Sequence, residues 1–156
     1  MGAASLSNTT FSMQIWQQCE QQYNFNPKAY IALQDDYQVN VNLLLLAQGL
    51  DQQGYLLNLL QWQQLTEVIE QWETNVLTPY RQLRRIAKAH LAATEYQKML
   101  DVELIMERKS QKMLLQQVNL IQGEPLHENS VANNTQHYLS LFGLDSTHLP
   151  QTISKS

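Results

Sequence analysis

LQDDYQVNVNLLLLAQGL, residues 33–50, decides the fold of this chain. Its second half is apolar on nearly every side of a helix, with Val39, Val41 and the run Leu43–Ala47, and a helix of that kind is buried on most of its surface. A β-strand is the alternative, because the Val-Asn alternation has a period of two. A lone strand cannot satisfy its backbone hydrogen bonds, and no partner strand is visible in the sequence. We therefore predict a central apolar helix over residues 39–53.

Apolar residues spaced three and four apart predict further helices around this centre. The expected spans are about residues 9–23, 27–37, 58–76, 79–90 and 94–122. Thr78-Pro79 either kinks one long helix or begins a new one, and Leu83 and Ile86 continue the apolar periodicity beyond it. The predicted fold class is all-α, a compact bundle of about five to six helices around the central helix.

The predicted domain covers residues 10–122, between a flexible N-terminal tail at residues 1–9 and a C-terminal region at residues 123–156. Gly123 marks the end of the last long helix, because glycine commonly follows a helix C-terminus. Beyond it we expect a linker, a short helix within residues 131–144, and a disordered C-terminal tail.

The composition limits the classes of function. The chain has 156 residues, a net charge of −4, and 22 glutamines that alternate with apolar residues at helical spacing. A negative chain is poorly suited to bind nucleic acids or anionic membranes, and the longest apolar run, residues 43–47, is far shorter than the ~20 residues that span a bilayer. The single Cys19 allows no internal disulfide, which is typical of a reducing compartment. We expect a cytoplasmic protein that binds neither nucleic acid nor membrane, with Cys19 in the core.

Polar residues beside the central helix need partners, because a buried charge without one is costly. Arginines at spacings of three and four form a basic stripe in PYRQLRRIAK, and two glutamates one turn apart lie on an apolar stripe in ELIMER. The predicted polar cluster consists of Gln34, Asp35, Asn40, Asn42, Arg81, Arg84, Arg85, Glu103, Glu107 and Arg108.

Two interpretations of this polar cluster stay open. In the first, Asp35, the arginines and Glu103 form an internal salt-bridge network. Asn40 and Asn42 then cap the central helix or bond a neighbouring backbone. In the second, the cluster is a polar cleft whose arginines bind an anionic ligand or partner. The pair Arg84 and Glu103 separates the two, because a purely structural pair is buried, satisfied and without an adjoining cavity, whereas a site has a concave pocket and an unpaired arginine.

Catalytic and metal-binding patterns are weak in this sequence. Glu103 and Glu107 lie one helical turn apart, but Met106 stands where the Glu-x-x-His pattern of carboxylate metal sites has its histidine. The sequence contains no phosphate-binding loop, nucleophile elbow or paired-cysteine motif, and its four histidines are scattered. We predict no metal, no cofactor and no catalytic residue, and we lean towards a protein that is not an enzyme.

Three segments in order, LQDDYQVNVNLLLLAQGLDQQG, WETNVLTPYRQLRRIAK and ELIMER, resemble a bacterial family of small proteins known as domain of unknown function 2390. The resemblance extends over about residues 11–122 and includes most of the predicted polar cluster. Two Val-Asn pairs, Val39-Asn40 and Val41-Asn42, fit the Val-Asn of the family pattern equally well. The resemblance implies a helical, bacterial, cytoplasmic protein, and it implies no activity.

The sequence therefore favours a non-catalytic interaction or regulatory module whose partner is a protein. The alternative is a binding protein or enzyme for a small anionic ligand, held in a cleft lined by Asp35, Arg81, Arg84, Arg85 and Glu103. The oligomeric state is not predicted.

Overall fold

The structure is a computed structural model that describes residues 10–149. The predicted tail at residues 1–9 and the end of the predicted C-terminal tail, residues 150–156, lie outside this range. The α-helices are α1 (Gln14–Phe25), α2 (Pro27–Tyr37), α3 (Val41–Gln52), α4 (Leu59–Trp72), α5 (Thr78–Ala87), α6 (Ala93–Leu120) and α7 (Asn134–Ser140). Because α4 continues directly into α5, these residues form six helical rods, and the all-α prediction is confirmed.

Helix α3 is the centre of the core, as predicted. Every residue from Leu43 to Leu50 is buried, and α1, α2 and α7 pack around this helix. The helix begins two residues later than predicted, because Gln38 adopts a left-handed backbone conformation with φ of 63° that ends α2. Asn40 then acts as the N-cap, since its side chain accepts a hydrogen bond from the backbone N–H of Leu43 at 3.1 Å.

A π-helical turn, Glu73–Leu77, joins α4 to α5 without a break. This turn settles the question raised by Thr78-Pro79: the helical conformation continues through this segment, and Pro79 lies in the first turn of α5, where its missing N–H is tolerated. π-Helical turns inside longer helices are rare and occur frequently at functional sites. The position of the Glu73 carboxylate is therefore determined by this unusual backbone segment.

The hydrophobic core continues beyond the predicted domain boundary at residue 122. Tyr138 and Leu139 of α7 are fully buried, and Leu144 belongs to the same core. Two short strands that the sequence did not predict, β1 (Tyr55–Leu56) and β2 (Glu124–Pro125), pair in antiparallel orientation. Strands of two residues are too short to show an alternating pattern. The short helix expected within residues 131–144 corresponds to α7, Asn134–Ser140.

Residues 78–109, termed the arm, project from this core. The arm consists of α5 and the first half of α6, and none of its residues is buried, although Leu77 before it and Ser110 after it are. Leu83 and Ile86, which continue the apolar periodicity of the sequence, are 55% and 67% exposed. The face of α5 that packs on α6 carries polar groups instead, as the ion pairs described below show.

No helix within residues 10–149 combines the length and the apolar character that crossing a membrane requires.

Candidate functional site

A cleft of about 950 Å³ separates the arm from the rest of the molecule. Its body wall comes from α1, the end of α2 and the start of α3, and includes Glu20, Asp35 and Asn42. Its arm wall comes from α5 and α6, and includes Arg85 and Arg108. The cleft thus brings together segments that are far apart in the sequence.

Eight of the ten residues of the predicted polar cluster line this cleft. They are Gln34, Asp35, Asn40, Asn42, Arg81, Arg85, Glu107 and Arg108. Arg84 and Glu103 do not line it. The predicted network through Asp35 does not form: its carboxylate is exposed at the end of α2 and makes no ion pair with any residue in the described range. The reason is that the side chain of Asp35 is exposed to solvent, so its charge needs no buried partner.

Arg81 is held between two carboxylates. Its Nη1 lies 3.5 Å from Oε2 of Glu73, and its Nη2 lies 3.2 Å from Oε1 of Glu107. Ser110 Oγ donates a further hydrogen bond to Glu73 at 3.4 Å. Glu73 was missed by sequence reasoning; its signal was a spacing of eight residues, about two helical turns, before Arg81. Because both of its Nη atoms pair with carboxylates, Arg81 attracts an anionic ligand only weakly.

Burial raises the pKa of Glu107, although the charge and hydrogen bond of Arg81 act in the opposite direction. The neighbouring carboxylates Glu103 and Glu73 raise it further. The ionised form of Glu107 is therefore tolerated in the cleft mainly because Arg81 is present.

Arg84 and Glu103 form an ion pair within the arm, with side chains that are 17% and 13% exposed. Arg84 Nη1 also donates a hydrogen bond to the hydroxyl of Tyr96 at 3.0 Å. Tyr80 donates to the carbonyl of Met99 at 2.9 Å. These contacts join α5 to α6 and lie outside the cleft, so the pair matches the structural interpretation.

Four charges in the cleft have no ion-pair partner among the described residues. Arg85 and Arg108 are on the arm wall, and Glu20 and Asp35 are on the body wall. All four side chains are exposed. The cleft therefore has an unpaired arginine, as the site interpretation requires, together with an unpaired acidic wall that sequence reasoning identified only at Asp35.

Cys19, the cysteine that lines the cleft, is not activated as a nucleophile. Cys19 is buried, its Sγ lies 3.4 Å from the carbonyl oxygen of Leu45, and burial raises the pKa of its thiol to about 12. A thiol with that pKa is protonated at neutral pH and is a poor nucleophile. Within residues 10–149, no three His, Cys, Asp or Glu side chains are grouped so that they could hold a metal ion.

The model of one protein family, described as a protein of unknown function (DUF2390), matches residues 14–114. No curated protein and no solved structure shows significant similarity to the chain. The match includes both walls of the cleft and ends within α6, before α7. The chain belongs to the DUF2390 family, which confirms the resemblance noted in its sequence.

Proposed function

We propose that this protein is an interaction module that receives a polypeptide segment of a partner protein in the cleft between the arm and the body. The observation that carries this proposal is the set of amide side chains in the cleft. Seven of them make no hydrogen bond to another residue in the described range: Gln17, Asn24, Gln34, Gln38, Asn42, Gln82 and Gln111.

Amide side chains suit a peptide backbone because each one carries both a donor and an acceptor. A polypeptide segment brings one N–H and one C=O per residue, and both need partners when water is displaced. The amides lie on both walls, since Asn42 belongs to α3 and Gln82 to α5. A segment lying between the walls can therefore be bonded from two sides.

The arm supports the same role. Helices α5 and α6 are joined mainly by polar contacts such as that between Arg84 and Glu103, and no residue of the arm is buried. Such a hairpin adds little to the hydrophobic core, so its stabilising contribution to the fold is small. What the arm provides is the second wall of the cleft.

A binding role is favoured over catalysis because the less exposed reactive groups of the cleft are already engaged, and its two unpaired carboxylates, Glu20 and Asp35, are exposed to solvent. The thiol of Cys19 is buried and protonated, and the carboxylates of Glu73 and Glu107 bind Arg81. The single cysteine also supports a reducing compartment such as the cytoplasm as the place of action.

The test is a screen of peptides of about twelve residues against the purified protein, followed by affinity measurement of those that bind by fluorescence anisotropy. Gln82→Trp places a bulky side chain in the cleft, and we expect it to weaken peptide binding about tenfold or more. Leu83→Trp is the matched control, because Leu83 is the next residue, is 55% exposed and does not line the cleft. Equal effects of the two substitutions, or no peptide that binds, would contradict the proposal.

A small anionic ligand is the second candidate function, favoured by the presence of two unpaired arginines, Arg85 and Arg108, on one wall. The cleft also lies within the range of about 300–1,000 Å³ typical of small-molecule sites. A ligand that binds the folded state raises the melting temperature as its concentration increases. If this candidate is right, organic acids or phosphorylated compounds should raise the melting temperature of the protein. The shift should vanish in Arg85→Ala. It should persist in Lys98→Ala, because Lys98 is exposed on α6 and does not line the cleft.

A further inference from the structure

We infer that the cleft selects a segment of mixed charge, with acidic side chains towards Arg85 and Arg108 and basic side chains towards Glu20 and Asp35. This inference rests on the proposed function and specifies the chemistry of the partner. It follows from how the charges of the lining are divided between those already paired and those left free.

Seven charged residues line the cleft, and three of them form a closed set. Arg81 pairs with both Glu73 and Glu107, so its positive charge is directed at these two carboxylates, and the set carries a net charge of −1 when both are ionised. The remaining four are sorted by sign: both free cations, Arg85 and Arg108, project from the arm, and both free anions belong to the body. Charges of opposite sign therefore line opposite walls without meeting.

The separation of the free charges matters because opposite charges close together would neutralise each other. Glu20 and Asp35 form no ion pair with either arginine, so each wall keeps its own sign. A segment with acidic residues alone gains from the arm and is repelled by the body, and a basic segment experiences the reverse. Only a segment with both signs gains from both walls, and complementary charge arranged in this way supplies specificity more than affinity.

The expected contribution of each contact is modest. Exposed ion pairs change an affinity by about 1.5- to 5-fold each, so four favourable, additive contacts change it by about 5- to 600-fold. Salt screens exposed charges. The preference for mixed charge should therefore weaken as salt is added, while the amide contacts persist.

Four versions of one peptide that binds in the screen test this inference. One carries two glutamates and two lysines, one has glutamine in place of the lysines, one has glutamine in place of the glutamates, and one has glutamine at all four positions. Because the best position of each charge is not known beforehand, the charged residues are placed by scanning them along the peptide. We expect the best mixed peptide to bind the wild-type protein about tenfold more tightly than the neutral version.

Charge reversal of each wall assigns the contacts. Arg85→Glu with Arg108→Glu should remove the gain from the peptide glutamates and leave the gain from its lysines. Glu20→Lys with Asp35→Lys should do the opposite, and Lys98→Glu, outside the cleft, should do neither. All of these side chains are exposed, so the variants are expected to fold, and their circular dichroism spectra and melting curves check this.

The outcomes separate this inference from the function on which it rests. If the mixed and neutral peptides bind equally and Gln82→Trp still blocks them, the charge inference is overturned and the peptide-binding function stands. If the purely acidic peptide binds as well as the mixed one, the acidic wall has no role and the inference is again overturned. If no peptide binds in the cleft, the proposed function itself fails.

Discussion

Asp51 accepts four hydrogen bonds from Asn134 and Thr135, although 83 residues separate Asp51 from Asn134. Two come from backbone N–H groups in the first turn of α7, at 2.8 and 3.2 Å. A carboxylate at a helix N-terminus satisfies free donors and interacts favourably with the helix dipole. Asn134 in turn accepts from Leu57 and from the indole of Trp62. This set of contacts is what attaches α7 to the core.

Removing this carboxylate should loosen α7. We expect Asp51→Ala to lower the free energy of unfolding by about 2–3 kcal/mol, because hydrogen bonds to a charged group are lost and buried donors of Asn134 are left unpaired. Urea denaturation measures the change. The control is Asp101→Ala, an exposed aspartate of α6 whose contact is one hydrogen bond from Gln97, with an expected cost within about 0.5 kcal/mol. Equal costs for the two substitutions would show that Asp51 does not anchor α7.

The pair Arg84 and Glu103 should behave as a coupled unit. We expect Glu103→Leu alone to cost about 2–3 kcal/mol, below the 3–5 kcal/mol typical of a fully buried pair, because both side chains retain some exposure. The double change with Arg84→Leu should cost less than the sum of the single changes, with a coupling energy of about 1–3 kcal/mol. Thermal or urea unfolding of the two single variants and the double variant measures this energy. Additive, small effects would show that the pair does not hold α5 against α6.

Glu107 should make stability depend on pH. Burial raises its pKa above the ordinary value of 4.5, so the folded state holds this proton more tightly than the unfolded state does. The stabilisation from the protonated form is complete below pH 4.5 and is lost as the pH rises through the raised pKa. Glu107→Gln cannot ionise, and its side-chain oxygen can still accept a hydrogen bond from Arg81.

The stability of Glu107→Gln relative to the wild type should therefore increase as the pH rises from about 4 to 7. Urea unfolding at several pH values measures the difference. Glu67→Gln, which removes an exposed glutamate of α4, controls for the change in net charge. A Gln variant that is increasingly less stable as the pH rises would mean that the attraction of Arg81 exceeds the cost of burial.

Local signals in the sequence predicted the helices well. Pro27 begins α2, Asn40 caps α3, and the long span predicted at residues 94–122 corresponds to α6, Ala93–Leu120. Each of these depends on residues close together in the chain, for which the physical rules are strong. Eight of the ten residues of the predicted polar cluster line the cleft, and the role of this cluster stays a prediction, because isolated polar groups beside apolar helices indicate either partners or a site.

What the sequence could not show depends on contacts between distant segments. The anchoring of α7 rests on Asp51, whose position in α3 has no local signal of its role. Leu83 and Ile86 are exposed because the arm projects beyond the core. Their helical periodicity alone predicts a buried face. Glu20 lies in a polar helix face, and only the tertiary fold brings it opposite the arm.

Gly123 is required for close packing rather than for a special backbone angle. A Cβ atom at this position would lie 2.5 Å from ring carbons of Tyr55 and 2.8 Å from the carbonyl oxygen of Leu56. The backbone N–H of Gly123 donates to the Tyr55 hydroxyl at 2.7 Å, which holds the two groups together. Tyr55 is only 2% exposed, so its ring has little room to move away. Gly123, which was predicted to mark the end of the last long helix, thus follows α6 and allows the chain to pack closely against Tyr55 and Leu56 of β1.

Gly123→Ala should therefore cost about 1–3 kcal/mol, as expected when a methyl group is forced into a packed site. Gly49→Ala is the matched control within α3, where a Cβ atom meets its nearest neighbour, Ile15, at an ordinary 3.6 Å. Replacing a helical glycine by alanine without a clash should stabilise the protein by about 0.5–1 kcal/mol. Urea unfolding of both variants should give changes of opposite sign. A Gly123→Ala variant as stable as the wild type would show that Tyr55 and the segment after α6 are packed less tightly than their distances indicate.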